Sequence, residues 1–170
     1  LSLTSVDGAV YAMALDSDSN IYLAGETNSP RFRDDLQVGF DARDTILDAI
    51  HAAFFMKLAP DGETILTSGH ISGTARACGA GSSCFTSRSP RITSGRAIAV
   101  DAQRNIYLAG NTDTTNLPTT SNSLTPVGSG AFVAKIRADG RQLLYSTYLG
   151  ARNDPVTPFA FPGTILSAMT

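Results

Sequence analysis

Charge is scarce in this chain. Only 16% of its 170 residues are Asp, Glu, Lys or Arg, and the formal net charge is −2. The 13 basic residues are scattered, so no positive field is available for nucleic acid or an anionic lipid surface. Long apolar runs are also missing. The best candidate, AIHAAFFMKLA at Ala49–Ala59, is interrupted by His51 and Lys57 and falls short of the roughly 18–20 residues a membrane helix needs. Metal ligands are few as well. The two histidines and two cysteines supply His70, Cys78 and Cys84 at irregular spacing, which is short of a recognisable zinc pattern. No serine sits in a G-x-S-x-G elbow, and CGAGSSC lacks the Lys of a phosphate loop. No catalytic constellation is therefore visible, and the chain reads as non-enzymatic, with no cofactor unless a weak Ca²⁺ site is present.

Glycine and proline are plentiful by contrast, at 15 and 8, alongside 42% apolar residues. That is the composition of a β-protein with many short strands and turns. Cys78 and Cys84 flank a short Gly/Ser loop, so they would either bridge as a small disulfide in an exported protein or remain thiols in a reducing compartment. With so few cysteines and so little charge, the expectation is an extracytoplasmic protein, whether secreted, periplasmic or at the cell surface.

The strongest signal is internal. Ala12–Thr27 reads AMALDSDSNIYLAGET, and 85 positions later Ala97–Thr112 reads AIAVDAQRNIYLAGNT, with ten of sixteen positions identical. Further on, AFFMKLAPDG at Ala53–Gly62 matches AFVAKIRADG at Ala131–Gly140, now offset by 78. Two blocks repeated in the same order indicate a repeat architecture. Each unit reads as four strands. In the second these are Arg96–Val100, Asn105–Ala109 ending at Gly110, Ala131–Ile136, and Gln142–Leu149 after the Asp139-Gly140 hairpin signal. In the first they are Tyr11–Leu15, Ile21–Ala24, Ala53–Leu58 and Thr64–Ser68. Four short antiparallel strands per repeat make a propeller blade. The fold expected is all-β, two four-stranded antiparallel propeller blades that are part of a larger propeller or are completed by other chains. Residues 1–73 would form the first blade, 74–94 a Cys-containing inserted loop, 95–150 the second blade, and 151–170 a linker with the possible start of a third repeat. Residues before Ala12 could close a preceding unit. In the first blade, Ala42–Ala52 (ARDTILDAIHA) has the spacing of a short amphipathic helix with Asp44 as its N-cap.

The stretches GRAIAVDAQRNIYLAGNT, NLPTT and GAFVAKIRADGRQLLYSTYLGA closely resemble the bacterial SBBP repeat, a family named for a seven-bladed β-propeller. The resemblance covers Gly95–Gly150 well and Gly8–Gly73 more loosely. In the first copy RFRDD stands where an FPTT-like loop would, and TILTSGHISG replaces LLYSTYLGG. The resemblance implies secreted or surface proteins and supplies no catalytic residues.

DSDSN at Asp16–Asn20 has the start of a calcium-loop pattern, with Asp16, Asp18 and Asn20 at alternate positions. However, Ile21 occupies the place of the turn glycine, Thr27 stands at the twelfth position, and the second copy keeps only Asp101 and Asn105. The shared features are an Asp that ends one strand and an Asn that starts the next, a pattern suited to turn capping. Asp101, Asn105, Gly110, Asp139 and Gly140 are accordingly expected as structural turn residues. Asp34-Asp35 reads as a solvated loop rather than a carboxylate pair, since neighbouring strand residues point to opposite faces. His70 reads as a surface residue. Arg76, Arg88 and Arg91, in the segment that departs most from the repeat, are the candidate contacts for a protein partner. The function expected is a structural or interaction scaffold that binds proteins, copies of itself or glycans. A carbohydrate-active hydrolase or lyase using the propeller's central depression and a Ca²⁺-stabilised surface module are the alternatives.

Overall fold

The computed structural model describes residues 8–28, 36–38, 50–73 and 91–149. Among them lie nine strands and no helix. The first blade contains β1 (Gly8–Leu15), β2 (Ile21–Thr27), β4 (Ile50–Leu58) and β5 (Ile65–Ile71), each antiparallel to the next. A three-residue strand, β3 (Leu36–Val38), pairs in parallel with β5 and extends the outer edge. The second blade is β6 (Arg91–Val100), β7 (Ile106–Thr112), β8 (Gly130–Ile136) and β9 (Leu143–Tyr148), again antiparallel throughout. A short parallel bridge, Ile50 to Arg91 and His51 to Ile92, ties β4 to β6.

The repeat is reproduced in the turns. Between β1 and β2 the Asp16 amide donates to the Asn20 carbonyl (3.2 Å) and Ser19 donates back to Asp16 (3.0 Å). Between β6 and β7 the same bonds join Asp101 to Asn105 (3.1 Å) and Arg104 to Asp101 (2.8 Å). Ser19 and Arg104 both sit in the left-handed region, with φ of 64° and 66°. The β4–β5 and β8–β9 hairpins match as well. Gly62 (φ 72°) and Gly140 (φ 73°) occupy equivalent corners that residues with a Cβ enter only at a cost. Asp61 caps the amides of Glu63 and Thr64, and Asp139 caps that of Arg141.

The core lies between the blades. Tyr22, Ala24, Ala53 and Phe55 of the first blade pack in one cluster with Ile98, Ile106, Leu108, Phe132, Ala134 and Ile136 of the second. Alternation along a strand sends one side chain to each face, so every blade has two faces of different composition. The first blade meets the second through its Tyr22/Phe55 face, and the second replies with its Ile106/Leu108 face.

Several expectations need correction. Gly8–Tyr11 belong to β1 itself rather than to a preceding unit. Ile50–Ala52, expected as the end of a helix, open β4, because that stretch continues the β2 pairing through Ala52–Thr27; residues 42–49 lie outside the described residues. The second blade starts at Arg91 rather than at residue 95, since Thr93 and Ser94 pair with Thr112 and Asn111 and are buried. Gly110 is not a turn residue. It lies inside β7, where a Cβ would stand 1.8 Å from the Ser94 carbonyl oxygen. The cause is a bulge in β6 between Gly95 and Ala97, which pushes backbone toward its neighbour. Gly25 meets the Ala9 carbonyl at the same 1.8 Å, beside the matching bulge in β1. His70 is buried on β5.

Candidate functional site

One constellation occurs twice. In the first blade Asp16 Oδ1 accepts from the amides of Asp18 and Asn20, both at 3.0 Å. The Asn20 side-chain amide donates to both carboxylate oxygens, at 3.1 and 2.8 Å, and the Tyr22 hydroxyl donates to Oδ2 at 3.0 Å. Lys57 Nζ stands 3.7 Å from the same oxygen and 5.1 Å from the centre of the Tyr22 ring. In the second blade Asp101 accepts from the amides of Gln103 (3.0 Å) and Asn105 (2.8 Å), from Asn105 Nδ2 (2.9 Å) and from the Tyr107 hydroxyl (3.3 Å). Lys135 Nζ is 3.1 Å from Asp101 Oδ2 and 4.7 Å from the Tyr107 ring centre.

The hairpin turn brings Asp and Asn together. The alternation of β2 and β7 puts Tyr two residues beyond Asn on the same face. Lys then faces Tyr directly across the ladder, in the pairs Tyr22–Lys57 and Tyr107–Lys135. Sequence reasoning identified the Asp and Asn but missed the Tyr and Lys, although both recur in the two copies at fixed spacing.

The electrostatics follow from the donors. Burial pushes the Asp16 carboxyl up, but the hydrogen bonds from Asn20, Tyr22 and Asp18 outweigh it and hold its pKa at about 2. Asp101 is likewise held at about 2, first by the Asn105 side chain against some desolvation, then by the Asn105 amide and Lys135. Tyr22 is pushed well above its ordinary range by burial and then by its bond to Asp16. A carboxylate so saturated with donors is a poor proton acceptor, and its oxygens are taken up by the protein. Of the three calcium candidates, Asp16 and Asn20 bind each other and Asp18 pairs with Arg104 of the next blade. Among the described residues no three His, Cys, Asp or Glu side chains stand close enough to hold a metal ion. The geometry of DSDSN is that of a capped turn.

A second cluster departs from the repeat. Tyr11, Glu26, His51 and Arg96 meet where β1, β2, β4 and β6 come together. Arg96 stacks 3.9 Å from the Tyr11 ring centre, and Glu26 Oε1 lies 3.9 Å from His51 Nδ1. Burial first, then a hydrogen bond with Glu26, raises the Tyr11 pKa. Asn111 and Ser129 occupy the positions of Glu26 and His51 in the second blade, so this chemistry is not shared between copies. An open groove of about 400 Å³ also runs between the blades, lined by Lys57, Leu66, Thr67, Ala138, Asp139 and Arg141. There the Thr67 hydroxyl donates to the Asp139 carbonyl at 3.3 Å.

The long loop 113–129 is anchored by Tyr148. Its buried hydroxyl accepts from the Leu117 amide (2.7 Å) and donates to the Thr114 carbonyl (2.9 Å). Burial pushes its pKa up to about 12. Cys78 and Cys84, Arg76 and Arg88, Asp34 and Asp35, and residues 151–170 lie outside the described residues. Arg91 is placed only as the first residue of β6.

Two stretches that hold the paired hairpins, residues 9–32 and 86–118, match the family model of the SBBP beta-propeller repeat. The chain carries SBBP beta-propeller repeats. The matched residues include both Asp–Asn–Tyr sets, Asp16/Asn20/Tyr22 and Asp101/Asn105/Tyr107. No curated protein matches the chain.

Proposed function

We propose that this SBBP chain is a non-enzymatic, extracytoplasmic β-propeller module that acts as a structural and interaction scaffold. One observation carries the reading. The polar side chains common to both repeats are committed to bonds within their own blade, with each Asp saturated by turn amides, Asn, Tyr and Lys. In this reading rigid blades hold loops that differ between the copies, and partners are recognised by those loops. Low charge and the Cys78/Cys84 pair around a short loop support an extracytoplasmic setting.

The test is purified protein on a panel of polysaccharides, with and without chelator, alongside Asp101→Ala. The expected result is no turnover under any condition. Turnover lost in a still-folded Asp101→Ala protein would refute the reading in favour of a carbohydrate-active enzyme. An EDTA-sensitive melting temperature would instead support a Ca²⁺-stabilised module.

A further inference from the structure

We infer that the open groove between the blades binds a carboxylate of a partner protein, presented by an acidic peptide segment with an aliphatic side chain beside the acid. The observation behind it is Lys57. This lysine is only 9% exposed, and its ammonium lies 3.7 Å from Asp16 Oδ2, close enough for attraction but too far for a hydrogen bond. The Asp16 oxygens already accept from Asp18, Asn20 and Tyr22, which holds the lysine off. An ammonium carries three donors, and the space open beside them is the groove that Lys57 lines. Its counterpart Lys135 closes on Asp101 to 3.1 Å instead.

The rest of the lining suits an anion. Asp139 would repel one, but its charge is already answered: Arg137 Nε donates to both carboxylate oxygens at 3.0 Å, and the Arg141 amide donates to Oδ1 at 2.9 Å. The Arg141 guanidinium, exposed at the rim, makes no ion pair among the described residues. With Lys57 it leaves the groove positive on a chain whose net charge is −2. Leu66, 47% exposed, and Ala138 add an aliphatic wall, and no aromatic ring lines the groove for a sugar to stack on. A volume of about 400 Å³ suits a short segment of chain. The walls are fixed before anything binds. Thr67 donates to the Asp139 carbonyl across the gap, and a Cβ on Gly140 would stand 2.3 Å from Thr67 Oγ1. Nor does the repeat supply this chemistry. The positions matching Arg141 and Thr67 in the other copy are Glu63 and Tyr145, so the groove belongs to this one junction.

This inference rests on the scaffold reading and names the partner's chemistry, yet the two fail separately. Turnover of a polysaccharide refutes the scaffold reading whatever a peptide does, and the groove is tested by binding alone. The isotope-labelled chain is titrated with a short capped peptide alternating leucine and glutamate, and in parallel with its glutamine twin. The glutamate peptide should move the amide resonances of Leu66, Thr67, Ala138 and Arg141, with an affinity that falls as salt is added. The glutamine twin should leave them in place. Arg141→Gln changes an exposed side chain without touching the core and should weaken binding about tenfold. Arg96→Gln removes a cation on the β6 bulge, outside the groove, and should leave binding unchanged. Circular dichroism confirms that both variants are folded. Absence of shifts at these four amides overturns the inference, as does equal binding of the glutamine twin or indifference to Arg141→Gln. An oligogalacturonate that binds the groove more tightly than the glutamate peptide overturns it too, in favour of an acidic sugar.

Discussion

Replacing Asp16 by alanine should destabilise the protein far more than replacing Asp101, although the two residues occupy the same repeat position. Asp16 is almost entirely buried and holds the buried Asn20 side chain, the fully buried Tyr22 hydroxyl and the nearly buried Lys57 ammonium. Its removal leaves a buried cation without its partner, which typically costs about 3–5 kcal/mol. The stranded Tyr22 hydroxyl and the uncapped amides of Asp18 and Asn20 contribute to the same loss. With a urea m-value near 2 kcal/mol/M, the midpoint should fall by about 1.5–2.5 M. Around Asp101 the Lys135 side chain and the carboxylate still reach water, so the orphaned donors can be rehydrated and the midpoint should move much less. Asp16→Asn, which keeps an oxygen for the turn amides, should recover part of the loss. Urea unfolding followed by circular dichroism reads all three variants. Equal midpoints for Asp16→Ala and Asp101→Ala would refute the claim that the second blade seals the first constellation.

Three further outcomes are expected. Gly110→Ala and Gly25→Ala each place a Cβ 1.8 Å from a backbone carbonyl and should cost about 3 kcal/mol or more, whereas Gly62→Ala, with open space around it and a φ of 72°, should cost about 1–2 kcal/mol; thermal melts distinguish them. Asp16 and Asp101 titrate near 2 in the folded protein against 3.8 as the ordinary value, so their stabilisation is present above pH 4 and lost as pH falls through about 2. Urea midpoints taken from pH 5 to pH 2 should decline, and Asp16→Asn should flatten the decline. Tyr148→Phe strands the Leu117 amide and the Thr114 carbonyl, costing about 1–3 kcal/mol, and should speed hydrogen exchange at Leu117 while leaving the β6–β7 hairpin amides protected.

Local chemistry was legible from the chain itself. Strand alternation, the Asp–Asn turns and the Asp-Gly hairpins depend on residues close in sequence, so NIYLAG and APDG or RADG gave the strands and corners to within a few residues. Two readings failed where a distant partner decided the outcome. Ile50–Ala52 has helical spacing but is drawn into β4 by Thr27, and Arg91–Ser94 looks like loop until Asn111 and Thr112 pair with it. Gly110 resembles a strand terminator, yet its reason is a carbonyl from β6 that comes too close for a side chain. The lysines of the constellation escaped notice because an ion pair across a sheet leaves no local signature.

The amino-acid order by itself determined that there are two like blades, because the same packing residues recur at the same spacing. It did not determine which face of each blade is buried. Ile106 and Ile21 are the same residue in the same motif, and one is sealed while the other meets solvent. Burial belongs to the pair of surfaces in contact, and only the stacking of one sheet on another decides it.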